Sequence, residues 1–301
     1  LILMVLALVK RFPYRLFIKT HKILAITYLV LCWHTLVLMK FDYWTQPIGW
    51  VMALLVVAGS VAAVLVLLGR VGASRQVPGK ISHLRYFPDL HILATRVRLE
   101  QGWPGHQAGQ FAFVNVIGSS ERAHPYTMAS SWDPQQREIL FVTKALGDHT
   151  STLHEVLKPG MPVTVEGPYG RFTFNGGRGR QIWIGAGIGI TPFIARMQQM
   201  QQESGVQHEA VDLFHPVAHD DGEALQLLRD NADAAGVRLH VMVDKRDGYL
   251  TGARLRQLVP DWQTASVWFC GPTGFADALR QDLCAHGLPA DQFHQELFAM
   301  R

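Results

Sequence analysis

The segment Gly185–Pro192, GAGIGITP, joins a short apolar run, IWI, to a stretch of helical character, TPFIARMQQMQQE. Glycine at such a junction lets the backbone approach a pyrophosphate, and a helix N-terminus offers free N–H groups and partial positive charge. The glycines are Gly185, Gly187 and Gly189, a G-x-G-x-G spacing that differs from the G-x-G-x-x-G dinucleotide fingerprint. Thr191 and Pro192 suit the helix start. The segment predicts a dinucleotide site, with a tight structural turn as the alternative.

Strand-like and helix-like segments alternate from about residue 180 onward, which predicts a parallel sheet wound with helices. The strand-like run SVWFCGP ends in Cys270, Gly271 and Pro272. Open α/β sheets bind ligands at the carboxyl ends of their strands, so FCGP is a second candidate part of the site. A small buried residue is the alternative role for Cys270.

Upstream, short alternating runs begin near Leu90, Phe111, Glu138 and Pro162 and are separated by turns containing Gly or Pro. This pattern predicts a compact antiparallel barrel. A short helix is expected after LGDHT, with Thr150 near its N-terminus.

Within the barrel, the segment HPYTMASS, His124–Ser131, places an aromatic ring and hydroxyls on one strand. A planar cofactor would use the ring of Tyr126 for stacking and the hydroxyl of Thr127 for a ring nitrogen. A barrel core with polar edges is the alternative.

The N-terminal part is different, because Ile23–Met39 and Ile48–Leu68 are long apolar runs that predict membrane-spanning helices. The apolar run Leu1–Val9 precedes basic residues, the reverse of a signal peptide, and we interpret it as the tail of an earlier span in a truncated sequence. The predicted domains are transmembrane helices at 1–70, a linker at 71–80, a barrel at 81–178 and an α/β domain at 179–301.

Charge placement predicts the topology of these spans. Lysines and arginines flank both ends of the apolar pair, whereas the loop between them carries one lysine and one aspartate. The positive-inside rule therefore places the C-terminal region in the cytoplasm. Anionic lipid explains the basic flanks, so no nucleic-acid partner is expected. The 3 cysteines are scattered and cannot supply the four ligands of an iron–sulfur cluster.

The order of the motifs HPYT, LGDHTSTL, GPYG, GAGIGITP, CGP and FHQELFAMR resembles the ferredoxin–NADP reductase superfamily. It is most similar to the NADPH oxidase and ferric reductase branch, in which His-Pro-aromatic-Thr replaces Arg-x-Tyr-Ser. The resemblance extends from His21 to Phe298.

This resemblance implies two cofactor sites. FAD would be held by His124, Pro125, Tyr126 and Thr127, with Gly147 and Thr150 beside its pyrophosphate. NADPH or NADH would lie along Gly185, Gly187, Gly189, Thr191, Pro192, Cys270, Gly271 and Pro272. Thr127, Cys270 and Phe298 would act nearest the reacting atoms. Phe298 matches the terminal aromatic that covers the flavin, although Ala299, Met300 and Arg301 follow it here.

The resemblance also implies that His21 and His34 each ligate a b-type haem, so this chain would hold half of the axial ligands. The two lie about 20 Å apart along an ideal helix and some 140° out of phase, so the assignment requires a bulge or a tilt. The alternatives are a solvated His21 and a His34 without a ligand role.

The expected function is transmembrane electron transfer from cytoplasmic NAD(P)H through FAD to haem and then to an acceptor such as dioxygen or ferric iron. The alternatives are a membrane-tethered flavin reductase that serves a separate partner subunit, and a relic that only binds. Lys245 and Arg246 are candidate contacts for a 2′-phosphate, or simply a solvated turn, and the sequence leans towards NADPH.

Overall fold

The computed structural model describes residues 14–119, 121–177, 179–203, 206, 208–218 and 220–296. Phe298 therefore lies outside the described residues. The chain divides into two compact units whose boundary falls between Ser74 and Arg75.

The first unit contains two long helices, α1 (Tyr14–Leu38) and α2 (Pro47–Leu67), joined through a 3₁₀ turn at Phe41–Thr45. Thr20–Leu38 and Pro47–Leu67 are long and apolar enough to cross a membrane. The Tyr28 hydroxyl donates to the Leu55 carbonyl at 3.2 Å. A Cβ on Gly59 would lie 1.9 Å from that hydroxyl oxygen, so the glycine admits the tyrosine between the helices.

Helix α1 is regular through both His21 and His34. The bulge that a shared orientation of these histidines requires is therefore not found, and along a regular helix they stay about 140° apart.

The second unit begins with a six-stranded antiparallel sheet in the order β4-β3-β6-β1-β2-β5. Its strands are β1 (Gln76–Phe87), β2 (Ile92–Leu99), β3 (Phe111–Val116), β4 (His124–Thr127), β5 (Glu138–Lys144) and β6 (Pro162–Tyr169). A bridge between Met128 and Phe141 joins the two edges and closes the sheet into the predicted barrel. Alternate side chains of β5 point into an apolar core, as a period of two requires. Helix α3 (Asp148–Val156) follows β5.

The barrel begins earlier than the sequence pattern predicts. Gln76–Lys80 pairs with Pro162–Glu166, so the second half of the predicted linker is strand. Pro78 and Gly79 lie inside this strand and weaken its sequence signal.

The α/β part has a five-stranded parallel sheet in the order β11-β10-β7-β8-β9. Its strands are β7 (Gln181–Gly185), β8 (Val211–Val217), β9 (Arg238–Val243), β10 (Ser266–Cys270) and β11 (Phe293–Glu296). The helices between them are α4 (Thr191–Gln202), α5 (Gly222–Ala234), α6 (Asp244–Asp247), α7 (Gly252–Leu258) and α8 (Thr273–Ala285). The strand order reverses between β7 and β10, and such a switch point opens a ligand crevice at the carboxyl ends of the strands.

The barrel and the α/β part share packing within this unit. Phe172 and Phe174, which follow β6, pack among Trp183, Phe193 and Trp268. The amide of Ser131 donates to Gln198 Oε1 and that of Ala108 to Gln199 Oε1, each at 3.4 Å. Helix α4, which carries both glutamines, thus contacts the barrel directly.

Candidate functional site

Strand β4 and the start of α3 meet at a cluster of three rings. The imidazoles of His124 and His149 stack with centroids 3.9 Å apart and planes 15° apart. The Tyr126 hydroxyl lies 3.1 Å from His149 Nε2, within hydrogen-bonding distance. His124 and Tyr126 are two residues apart on a strand and so project to the same side. The fold therefore joins the HPYT and LGDHTSTL motifs, which are separate in the sequence.

The surroundings of Tyr126 and His149 in this ring cluster favour the neutral form of both groups at pH 7. Burial raises the pKa of Tyr126 to about 12. Burial lowers the pKa of His149, and the neighbouring His124 lowers it further, while Glu121 opposes the shift. His124 Nε2 is buried without a hydrogen-bond partner and lies 3.6 Å from a Glu121 carboxylate oxygen. A buried ring nitrogen without a partner costs free energy, which an anionic ligand can offset.

The ring cluster lines a cavity of about 230 Å³ between the barrel interior and α3. Pro125 and Thr127 alternate with the two rings along β4, and Thr127 pairs with Phe111 on β3. Thr127 is half-buried and does not line this cavity.

The Thr150 side chain binds the backbone that leads into α3. The Thr150 hydroxyl oxygen accepts from the amides of Leu146 and Gly147 at 3.0 and 3.2 Å. A Cβ on Gly147 would meet no atom within 4 Å, so its backbone is open to approach. This helix start lies beside His149, where a diphosphate would meet both a helix N-terminus and imidazoles.

The three glycines of the G-x-G-x-G loop divide into two buried positions and one open position. Gly185 is buried, and a Cβ there would lie 2.9 Å from the Ile190 Cα. Gly189 is buried against β10, where a Cβ would lie 2.1 Å from the Cys270 carbonyl oxygen. Gly187 is exposed, has a φ of +55° and has open space around it. Internal packing thus explains Gly185 and Gly189, and Gly187 is the position open to a ligand.

The GAGIGITP and FCGP segments meet at the switch point. The Ala186 amide donates to the Cys270 carbonyl at 3.0 Å. A Cβ on Gly271 would lie 2.8 Å from the Ala186 Cβ, so these two turns are in close contact. Pro272 is exposed and precedes α8.

Three predicted site residues are enclosed by protein. The Thr191 hydroxyl donates to the Ile188 carbonyl at 2.6 Å, and both Thr191 and Pro192 are buried. Cys270 is also buried, and burial raises the pKa of its thiol well above the usual range, with Glu296 adding to the rise. A thiol in this environment stays protonated at neutral pH.

His149 and His215 are site residues that the sequence reasoning missed. His149 lies within the LGDHTSTL motif, so a signal for it was present. His215 Nδ1 donates to the Gly185 carbonyl at 2.6 Å, and burial lowers the pKa of this histidine. No local pattern marks His215, because only the sheet brings β8 beside the end of β7.

A larger cavity of about 700 Å³ lies between the outer face of the barrel and the α/β part. Strands β1, β2 and β5 form one wall, and the loop at Gly187 and Ile188 belongs to the other. Its charged lining residues are Arg85, Asp89, Arg96, Lys144 and Asp221. The volume suits a dinucleotide-sized ligand. The ring cluster at His124 and the Gly187 loop line separate cavities that share no lining residue.

In the first unit, His34 lines a cavity of about 440 Å³ between α1 and α2, together with Met39, Tyr43 and Met52. His21 and His34 are the only histidines between residues 14 and 74. The described helices therefore offer one axial imidazole per haem, and these residues alone do not fit a b-type haem held by two histidines.

Residues 80–173 match the family described as "FAD-binding domain". An NADPH oxidoreductase of Mycobacterium tuberculosis is 26% identical over 215 residues, which cover 67% of this chain and 55% of that protein. A glycine betaine monooxygenase reductase subunit of Pseudomonas aeruginosa is 24% identical over 207 residues, which cover 63% of this chain and 55% of that protein.

Among solved structures, ferredoxin–NADP⁺ reductase of Plasmodium falciparum superposes with a TM-score of 0.59 at 14% identity, covering 75% of this chain and 97% of that one. The fold is therefore that of ferredoxin–NADP reductase-like proteins, a barrel followed by an α/β domain, and the FAD-binding family match covers the barrel. The chain spans about half the length of the curated relatives it matches.

Proposed function

We propose that this chain is an FAD-dependent NAD(P)H oxidoreductase that passes electrons to a further acceptor. One observation carries the proposal. A single compact unit combines the ring cluster of β4 and α3, inside the FAD-binding domain, with an open Gly187 loop at the switch point of a parallel sheet.

The residues present fit FAD. His124 Nε2 is a buried ring nitrogen without a hydrogen-bond partner, the His149 ring stacks on the His124 ring, and the open backbone of Gly147 precedes a helix nearby. These groups would hold the diphosphate, while Tyr126 and Thr127 would contact the isoalloxazine, as the family resemblance implies. When bound, FAD accepts a hydride and releases electrons singly.

The protein's own groups position the reactants and transfer no proton in this scheme. Tyr126 keeps its proton because its pKa is about 12, so it acts as a neutral ring and hydrogen-bonding group. Cys270 would border the nicotinamide as a neutral thiol, and Gly187 would admit the pyrophosphate. Phe298 remains a candidate for the aromatic cover over the flavin.

We further propose that α1 and α2 span a membrane with the FAD and nucleotide domains in the cytoplasm. The support is the length of the two helices, the exposure of their apolar side chains and the basic residues flanking the pair. The proposed domain division at 1–70, 71–80, 81–178 and 179–301 follows this scheme, except that the barrel begins at Gln76 and the linker is shortened to 71–75.

Membership of the NADPH oxidase and ferric reductase branch is the finer proposal, with haem at His21 and His34 and dioxygen or ferric iron as acceptor. The motif order supports it, and the cavity beside His34 gives a ligand room. Because His21 and His34 point about 140° apart around a regular helix, the structure favours the second candidate, a membrane-tethered reductase that delivers electrons to a separate partner subunit.

The test is a difference spectrum of the purified protein with FAD, recorded with and without NADH or NADPH. Bleaching of the flavin band supports the oxidoreductase, and b-haem bands that vanish in His34→Ala support the relay. Flavin bleaching without haem bands favours the tethered reductase. A protein that fails to retain FAD would overturn the proposal.

A further inference from the structure

Strands β8 and β9 end side by side at the edge of the sheet that carries the Gly187 loop. They run parallel, and Val217 pairs with Val243 in the last register position. The described residues that follow, Ala218, Asp220 and Asp221 after β8 and 244–247 after β9, therefore lie at one edge. In doubly wound sheets the strand next to the glycine loop ends at the adenosine ribose, where an acidic group binds the 2′-hydroxyl or an arginine binds a 2′-phosphate.

Arg246 is the arginine that a 2′-phosphate would use at this edge, and two carboxylates already hold it. Its Nε and Nη2 donate to Asp247 at 3.1 and 3.0 Å. Its Nη1 donates to Asp220 Oδ2 at 3.1 Å, which bridges the end of β8 to the end of β9. A guanidinium has a planar fork of donors, and here both sides of the fork are occupied.

The surrounding charge repels an additional phosphate. The two segments carry four carboxylates, Asp220, Asp221, Asp244 and Asp247, against two cations, Lys245 and Arg246. Asp221 lines the 700 Å³ cavity on the Gly187 side and accepts from the Ala224 amide at 2.9 Å. Even with Arg254, which donates to the Asp247 carbonyl, the carboxylates outnumber the cations at the ends of β8 and β9, so the part of a ligand that reaches these ends meets net negative charge.

We propose that this edge selects a dinucleotide with a free 2′-hydroxyl, NADH rather than NADPH, because Asp220 and Asp247 hold Arg246 away from a phosphate role. The inference rests on the proposed function of the Gly187 loop as a dinucleotide site. It reverses the lean towards NADPH that the sequence gives.

The binding test uses 5′-AMP and 2′,5′-ADP as probes in calorimetry on the full chain loaded with FAD. The wild type should bind 5′-AMP about tenfold or more tightly than 2′,5′-ADP, since like charges at close range weaken binding. The kcat/KM ratio for NADH over NADPH, measured with ferricyanide as acceptor, should show the same preference.

Two double variants separate the effect of the contacts that Asp220 and Asp247 make with Arg246 from the effect of net charge alone. Asp220→Asn with Asp247→Asn should release Arg246 and improve 2′,5′-ADP binding about tenfold, because a freed guanidinium binds phosphate in bidentate geometry. The matched control, Asp230→Asn with Asp277→Asn, makes the same change in net charge on exposed helix positions and should leave the ratio of the two affinities unchanged.

A charge-neutral pair of substitutions gives the opposite test. Arg246→Gln with Asp247→Asn removes the guanidinium without changing the net charge, so it should leave the 2′,5′-ADP affinity unchanged if Asp220 and Asp247 keep Arg246 away from the nucleotide. A selective loss of 2′,5′-ADP binding in this double variant, or a wild type that prefers NADPH, would overturn the inference. Failure of both probes to bind would instead refute the dinucleotide site itself.

Discussion

Gly189 and Gly187 belong to one motif, yet the structure predicts that alanine acts differently at each. A Cβ on Gly189 would lie 2.1 Å from the Cys270 carbonyl oxygen and 2.6 Å from its carbonyl carbon. Both atoms are backbone of a buried strand, so no side chain can rotate away. The loop and strand β10 must separate if the β-carbon is to fit.

The cost of Gly189→Ala follows from this overlap. Overpacking a well-packed core costs about 1–3 kcal/mol, and a rigid backbone neighbour places this site near 3 kcal/mol. For a domain of this size each kcal/mol lowers the Tm by about 2–4 °C, so a fall of roughly 6–12 °C is expected.

Gly187→Ala is the matched variant, because its Cβ would meet open space. The φ of +55° costs an alanine about 1–2 kcal/mol, so the Tm should fall less than in Gly189→Ala. The main effect of Gly187→Ala should be weaker binding of 5′-AMP, since the added methyl group stands where the 5′-phosphate of this probe would approach.

The assay is thermal unfolding of both variants without nucleotide, followed by 5′-AMP calorimetry below the lower Tm. A Gly189→Ala protein with an unchanged Tm but no 5′-AMP binding would refute the packing role given to this glycine. A Gly187→Ala protein that binds 5′-AMP normally would refute the open-loop assignment.

Three further predictions concern the histidines and Tyr126. FAD should bind more tightly as pH falls below about 6.5, because burial and the neighbouring His124 lower the pKa of His149 from that ordinary value and protonation adds positive charge opposite the diphosphate. Fluorescence titration should show this slope flattened in His149→Gln. Burial lowers the pKa of His215 in the folded state, so the contribution of its neutral ring to stability is complete above about pH 6.5, the unfolded value. This contribution is lost as pH falls towards the folded pKa. Urea unfolding between pH 5 and 7.5 should therefore show that the free energy of unfolding declines less with falling pH in His215→Gln than in the wild type. Tyr126→Phe should cost about 1 kcal/mol of stability through the lost bond to His149 and still retain FAD, whereas loss of FAD in that variant would contradict the stacking role of the ring.

Much of the fold was predictable because its signals are local. Alternation of apolar residues marks β2, β3, β5 and β6, and the change of rhythm near residue 180 marks the start of the parallel sheet. Strands β1 and β11 were missed. Pro78 and Gly79 weaken the strand signal of β1, and β11 has only four residues, Phe293–Glu296.

The sequence by itself determined which motifs matter and in what order they occur, because glycine spacing, apolar runs and basic flanks are properties of neighbouring residues. Only the tertiary structure decided what each residue does. It assigned Gly185 and Gly189 to packing, brought His149 onto His124, and placed Arg246 between Asp220 and Asp247. These outcomes depend on which strands lie side by side and on distances between segments far apart in the chain, and no local pattern encodes them.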